Sequence, residues 1–191
     1  GGIYHTHVRY RLGDKYLDPF REAIDIGRRS GVPIHITHFY QSATSPGGGR
    51  RMLSLLEDAR EDEGIDVTFD SYPYILGSTR ALIFFPDWLH AGGPEKLKAG
   101  LSSEDIRKKL RQEVAPRAPT WEDAWLMNFQ RPQNHQYEGV SVAQVAQMRN
   151  QHPVDALCDL LLEEGLQVNY VAAGANGPTL PQFVSHPLSM V

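Results

Sequence analysis

Apolar positions in the first part of the chain alternate between two periods. Phe20, Ala23, Ile24 and Gly27 fall at i, i+3, i+4 and i+7, one face of a helix. Asp18 followed by Pro19 supplies an N-cap and a first helical position, and Gly31 ends the segment. Val32 to His38 (VPIHITH) then reads as a strand rich in β-branched residues. Met52, Leu55, Leu56 and Ala59 mark a second helix that stops near Gly64, and Ile65 to Asp70 (IDVTFD) is the next strand. With an extended segment around His5 and His7, the order is strand, helix, strand, helix, strand, the pattern of a parallel α/β fold. Between them, Ser42 to Arg50, with Pro46 and three glycines, is predicted to be a mobile loop.

Past Asp70 the pattern changes. Tyr72-Pro73-Tyr74 and Gly77-Ser78-Thr79 form a loop, and Leu82 to Trp88 is a short apolar piece broken by Pro86. Ser103 to Val114 is a charged helix with Ile106, Leu110 and Val114 as its inward stripe. Arg117 to Glu138 has weak periodicity. Ser141 caps a short helix, Pro153 to Glu164 is the clearest helix of the chain, and Leu166 to Val171 is a strand. This predicts βα units over residues 1–81, an inserted excursion over 82–139, and a return to the main body over 140–191.

Composition narrows the class. The chain has 191 residues, 41% of them hydrophobic, and a formal net charge of −4. That argues for a folded globular chain, and with scattered charge and a pI near 6.1 no nucleic-acid footprint is expected. No apolar run is long enough for a membrane span. The opening Gly1-Gly2-Ile3-Tyr4-His5 is no secretory signal, and one cysteine, Cys158, fits a reducing compartment. A cytoplasmic location is the expectation. Neither end carries a start or stop signal, so both read as cut from something longer.

The histidines carry the candidate chemistry. His5 and His7, at i and i+2 of an extended segment, point to one side, while His35 and His38 lie on the following strand. In parallel α/β folds the C-terminal strand ends form the active face. Strands ending in His7 and His38 would bring two imidazoles to one rim, a donor pair suited to a zinc ion. Spacing alone favours the alternative of two ordinary histidines, one buried with hydrogen bonds and one on the surface. Asp70 reads first as a loop cap, and otherwise as a base or as the partner orienting a ligating histidine. Gly47-Gly48-Gly49-Arg50-Arg51 lacks the Lys-Ser/Thr ending of a phosphate loop, so it reads as flexible backbone. Cys158 reads as a buried structural thiol, and Arg107-Lys108-Lys109 as a solvated helix face.

Four ordered blocks resemble the D-aminoacylases, the N-acyl-D-amino-acid deacylases of the metal-dependent amidohydrolase superfamily. They are Gly1-Gly2-Ile3-Tyr4 with Thr6-His7-Val8-Arg9, Glu22 to Arg28, Val32-Pro33 through Ile36-Thr37-His38, and Asp70-Ser71-Tyr72-Pro73-Tyr74 through Gly77-Ser78-Thr79. The closing His186-Pro187 and Met190-Val191 are similar to the stretch before that family's catalytic Asp. The resemblance implies part of a (β/α)8 TIM barrel of amidohydrolase type with an inserted subdomain. It implies His7 and His38 as metal ligands, leaving His5 and His35 as neighbours without a ligand role. Tyr72 would bind the substrate carboxylate with Ser78 nearby, and a zinc-activated water would hydrolyse an N-acyl amide.

Tyr40 stands where many relatives have a Lys, and Arg9 is the residue expected to compensate. A barrel of this type needs about 250 residues. The resemblance therefore places the family's first-strand HxH pair, its anionic ligand and its catalytic Asp outside this chain. With two ligands left, metal binding should be weak or absent and the chain alone inactive. Two rivals stand beside this reading: a cyclic amidase of the dihydroorotase or hydantoinase kind, and a non-catalytic half-barrel that associates with another chain. Open strand edges in a half-barrel favour a homodimer. The expected partner otherwise is a small N-acyl amino acid, with no nucleic acid and no membrane.

Overall fold

The computed structural model describes residues 1–9, 15–41, 47–114, 119–174 and 177–190. The chain forms two compact units, Gly1–Ile75 with Gly174–Val191, and Leu76–Ala173. These boundaries differ from those read from the composition shift. The excursion begins six residues before 82, and residues 140–173 lie in the second unit instead of returning to the first. The reason is strand pairing, described below.

The first unit holds β1 (Tyr4–His7), α1 (Asp18–Ser30), β2 (Ile34–Thr37), α2 (Gly49–Glu61), β3 (Val67–Asp70), α8 (Leu180–Val184) and β7 (Ser189–Met190). The strands form one parallel sheet in the order β1-β2-β3-β7. Alternation separates its two faces. Ile34, Ile36, Val67 and Phe69 are buried and share a core with Phe20, Ile24, Met52 and Leu56 of the two helices. Phe39 and Phe183 complete it, the first ring tilted against Phe69 at 4.8 Å and the second edge to face with it at 6.3 Å. Gly27 lets α1 approach β2 closely, since a Cβ there would stand 2.3 Å from Ile34 Cδ1. Gly31 at φ 70° ends α1 and returns its N–H to the Gly27 carbonyl, a conformation that suits glycine.

Local details depart from expectation at two caps. Leu17 is the N-cap of α1, and Asp18 lies inside the first turn, where its carboxylate pairs with Arg21 at 2.9 Å. Of the predicted glycine loop, residues 42–46 lie outside the described residues. Gly48 is the N-cap of α2, and Gly49 and Arg50 are its first residues, so this part is helix and not loop.

The second unit pairs β4 (Leu76–Arg80), β5 (Trp125–Met127) and β6 (Asn169–Ala173) as an antiparallel sheet in the order β4-β6-β5. The strand expected near 166–171 to rejoin the parallel body is β6, and both its neighbours are antiparallel. Around the sheet lie α3 (Asp87–His90), α4 (Gly93–Ser102), α5 (Glu104–Glu113), α6 (Val142–Arg149) and α7 (Pro153–Glu163). Leu101, Leu110, Leu126, Leu157 and Cys158 form its core. Ser141 and Gln144 make a reciprocal capping box at the start of α6. Arg107, read as solvated, has a side chain only 14% exposed and donates to Asp159 at 2.6 Å, tying α5 to α7. Glu164 is buried and accepts from the Gln130 and Arg131 N–H groups and from the Asn134 side chain. These donors satisfy a charge that would otherwise be costly to bury.

Candidate metal-binding rim of the parallel sheet

The face of the first sheet opposite its helices is polar. His5 lies across from His35, His7 from Thr37, and His35 from Thr68, so these side chains and Asp70 share that face. They bond to one another. His35 Nδ1 meets Thr68 Oγ1 at 2.8 Å, His35 Nε2 meets Asp70 Oδ2 at 3.0 Å, and His5 Nε2 meets Thr37 Oγ1. The His5 and His35 rings stand edge to face at 5.0 Å.

His38 reaches this face by a different route. Ile34 and Ile36 alternate onto the helix-covered side, and one more step of two would send residue 38 the same way. The strand stops at Thr37, however, and His38 takes φ 59°, a left-handed conformation. A non-glycine residue there costs about 1–2 kcal/mol. Its ring then lies 5.6 Å from that of His7, edge to face, and stacks on Tyr72 at 4.9 Å with planes 10° apart. The His38 N–H donates to Asp70 Oδ1 at 2.9 Å, and the Phe39 N–H donates to the Asp70 carbonyl at 2.8 Å.

The charges fit metal ligation. Burial is the largest influence on His38 and lowers its pKa. Asp70 opposes this, and neighbouring His7 and His5 reinforce it. The outcome is a ring held in the neutral form a metal requires. Burial alone would raise the Asp70 carboxyl. Hydrogen bonds from the His38 N–H, His35 and Thr37 outweigh it and hold Asp70 below the ordinary carboxylate value.

Of the residues expected to serve the site, His7, His38 and Tyr72 are brought together. The Tyr40 ring stands 6.4 Å from that of Tyr72. Arg9 is 69% exposed and ion-paired with Glu22 of α1. Both border a cavity of about 180 Å³ that His7 also lines. Ser78 lies on β4 in the second unit. A second donor set emerges that the sequence reading passed over: His5, His35 and Asp70 each offer a ligand atom within 4.8 Å of the others. Its signal was present in the i, i+2 and i, i+3 spacing of the histidines, but pairing register was needed to join it to Asp70. A larger cavity, about 400 Å³ and lined by Arg80, His90 and Lys98 among apolar groups, lies in the second unit. It has no carboxylate in its lining and gathers no catalytic set.

No family model matches the chain. In sequence it is 39% identical over 80 residues to the D-aminoacylase of Alcaligenes xylosoxydans xylosoxydans, a match covering 41% of this chain and 16% of that protein. In structure it is similar to an N-acyl-D-glutamate deacylase from Bordetella bronchiseptica, solved with zinc and a phosphonate inhibitor, at TM-score 0.66 and 20% identity. That match covers 99% of this chain and 31% of the other. A crystal structure of D-aminoacylase, described as defining a subset of amidohydrolases, matches at TM-score 0.61 and 22% identity, over 100% of this chain and 31% of that one.

The chain thus has the α/β fold of the corresponding part of the deacylase structures it matches. In sequence it is similar to a D-aminoacylase over 80 residues, and it spans about a third of the length of the solved structures it matches.

Proposed function

We propose that this chain supplies one sector of the active site of a zinc-dependent hydrolase that cleaves the N-acyl amide of N-acyl-D-amino acids. The observation that carries the reading is the convergence of His7 and His38 at the C-terminal ends of adjacent parallel strands, with Tyr72 stacked on His38. Two imidazoles at a strand-end rim are a donor set that zinc accepts. They are one short of the three protein ligands usual at a catalytic zinc, so further donors belong to parts of the relatives that this chain does not span.

His7 and His38 would hold the ion. Bound there, zinc supplies a water of lowered pKa and polarises the amide carbonyl. Tyr72, half-exposed beside His38, offers a phenolic hydroxyl to a substrate carboxylate, with Tyr40 and Arg9 as further candidate donors. A small N-acylated amino acid is the expected ligand. No helix among the described residues is long and apolar enough to cross a membrane. A cytoplasmic location rests on the lone cysteine, and a homodimer on β1 and β7 lying at the edges of the sheet.

The test is zinc titration of the purified chain beside His38→Ala and His7→Ala. Weak zinc binding that either substitution reduces by tenfold or more supports the reading. Binding untouched by both would overturn it. Without the remaining donors, the chain alone is expected to leave N-acetyl-D-amino acids unhydrolysed, and release of free amine above the blank would contradict that.

A further inference from the structure

We propose that Asp70 is the positioning residue that turns His38 out of the strand's alternation and sets its ring on the polar face beside His7. The inference rests on the reading of His7 and His38 as ligands and adds what places one of them. The geometry supports it from three sides. The backbone at His38 is left-handed, at φ 59°, a conformation uncommon for residues other than glycine. The group fixing that turn is Asp70, whose Oδ1 takes the His38 N–H at 2.9 Å while its carbonyl takes the next N–H, that of Phe39. The other carboxylate oxygen is held by His35 Nε2 at 3.0 Å, and His35 is itself fixed by Thr68 at 2.8 Å. The carboxylate is therefore oriented by strand β2 and its own strand β3 before it touches His38.

This also accounts for the second donor set. His5, His35 and Asp70 lie close enough for an ion, but both ring nitrogens of His35 and both oxygens of Asp70 already face hydrogen-bond partners within the protein. The set is a buttress beneath His38. An unoriented ligand is a weak one, and losing such an outer partner commonly costs roughly 10- to 100-fold in metal affinity.

The experiment compares the purified chain with Asp70→Asn, Asp70→Ala and Asp70→Ser, each checked for native far-UV circular dichroism. Two readouts are taken: the nuclear Overhauser contact between the His38 and Tyr72 rings without metal, and zinc affinity by titration. Asparagine keeps an acceptor for the His38 N–H, so Asp70→Asn should preserve the ring contact and most of the affinity. Alanine, or serine with its shorter reach, should abolish the contact and lower zinc affinity by roughly 10-fold or more. Persistence of the ring contact in both folded Asp70→Ala and Asp70→Ser would overturn the proposal. So would zinc that is lost on His35→Ala yet unaffected by His38→Ala, which places the ion in the deeper set. Absence of zinc binding throughout, with the ring contact following the acceptor, supports the positioning role, since two donors alone are expected to hold zinc weakly or not at all.

Discussion

Strands β2 and β3 carry Ile34, Ile36, Val67 and Phe69 on one face and His35, Thr37, Thr68 and Asp70 on the other. The same backbone ladder serves both, yet the two faces are held by different physics. The helix-covered face is stabilised by removal of apolar area from water, which has no preferred direction. The polar face is held by hydrogen bonds whose geometry fixes individual rings. Stability resides mainly on the first face and the candidate site lies on the second, and His38 links them by leaving the alternation at its last step.

The largest expected effect tests the stabilising face. Phe69 is fully buried and contacts Phe39, Phe183 and His186. Phe69→Ala should destabilise the chain by about 3–5 kcal/mol, read as a shift in the urea midpoint. On the same strand pair, His35→Ala removes partners of Thr68 and Asp70 but opens little apolar cavity, for about 1–3 kcal/mol. Equal losses at the two positions would mean that the polar face is a second core and would break the comparison.

This division decides what could be read from sequence. The face packed by α1 and α2 was legible because burial repeats: Phe20, Ala23, Ile24 and Gly27 mark a stripe no other arrangement satisfies, and β2 and β3 follow it. The partner of β6 was not legible. Asn169–Ala173 has the composition of a strand, but nothing local says that it pairs antiparallel with β4 and β5 instead of rejoining the parallel sheet. Arg107 was misread for a related reason: a charged run looks solvated until another helix supplies Asp159. At the site, the resemblance to a family named His7 and His38, whereas alternation alone sends His38 to the face of Ile34 and Ile36. The left-handed turn that corrects this depends on Asp70, 32 residues away, and no periodicity records it.

The second unit offers the smallest effect and the sharpest contrast with the polar rim. Its titratable thiol, Cys158, lies on α7 fully buried among Leu157, Leu160 and Leu161. Burial pushes the thiol up to about 12, with Arg107 and Arg111 opposing and Asp155 and Asp159 adding to the rise. A raised thiol pKa stabilises the fold while the unfolded thiol is also protonated. The contribution is lost as pH rises above the unfolded value of about 8.5, because the unfolded chain then releases its proton first. Stability should therefore fall on the alkaline side between about 8.5 and 12, and Cys158→Ala should flatten that part of the profile. At pH 8 a disulfide reagent should find no reactive thiol in the folded chain and one after denaturation. Rapid labelling of the folded chain would show that the second core opens as readily as the rim, and the contrast between an accessible polar rim and a closed core would not hold.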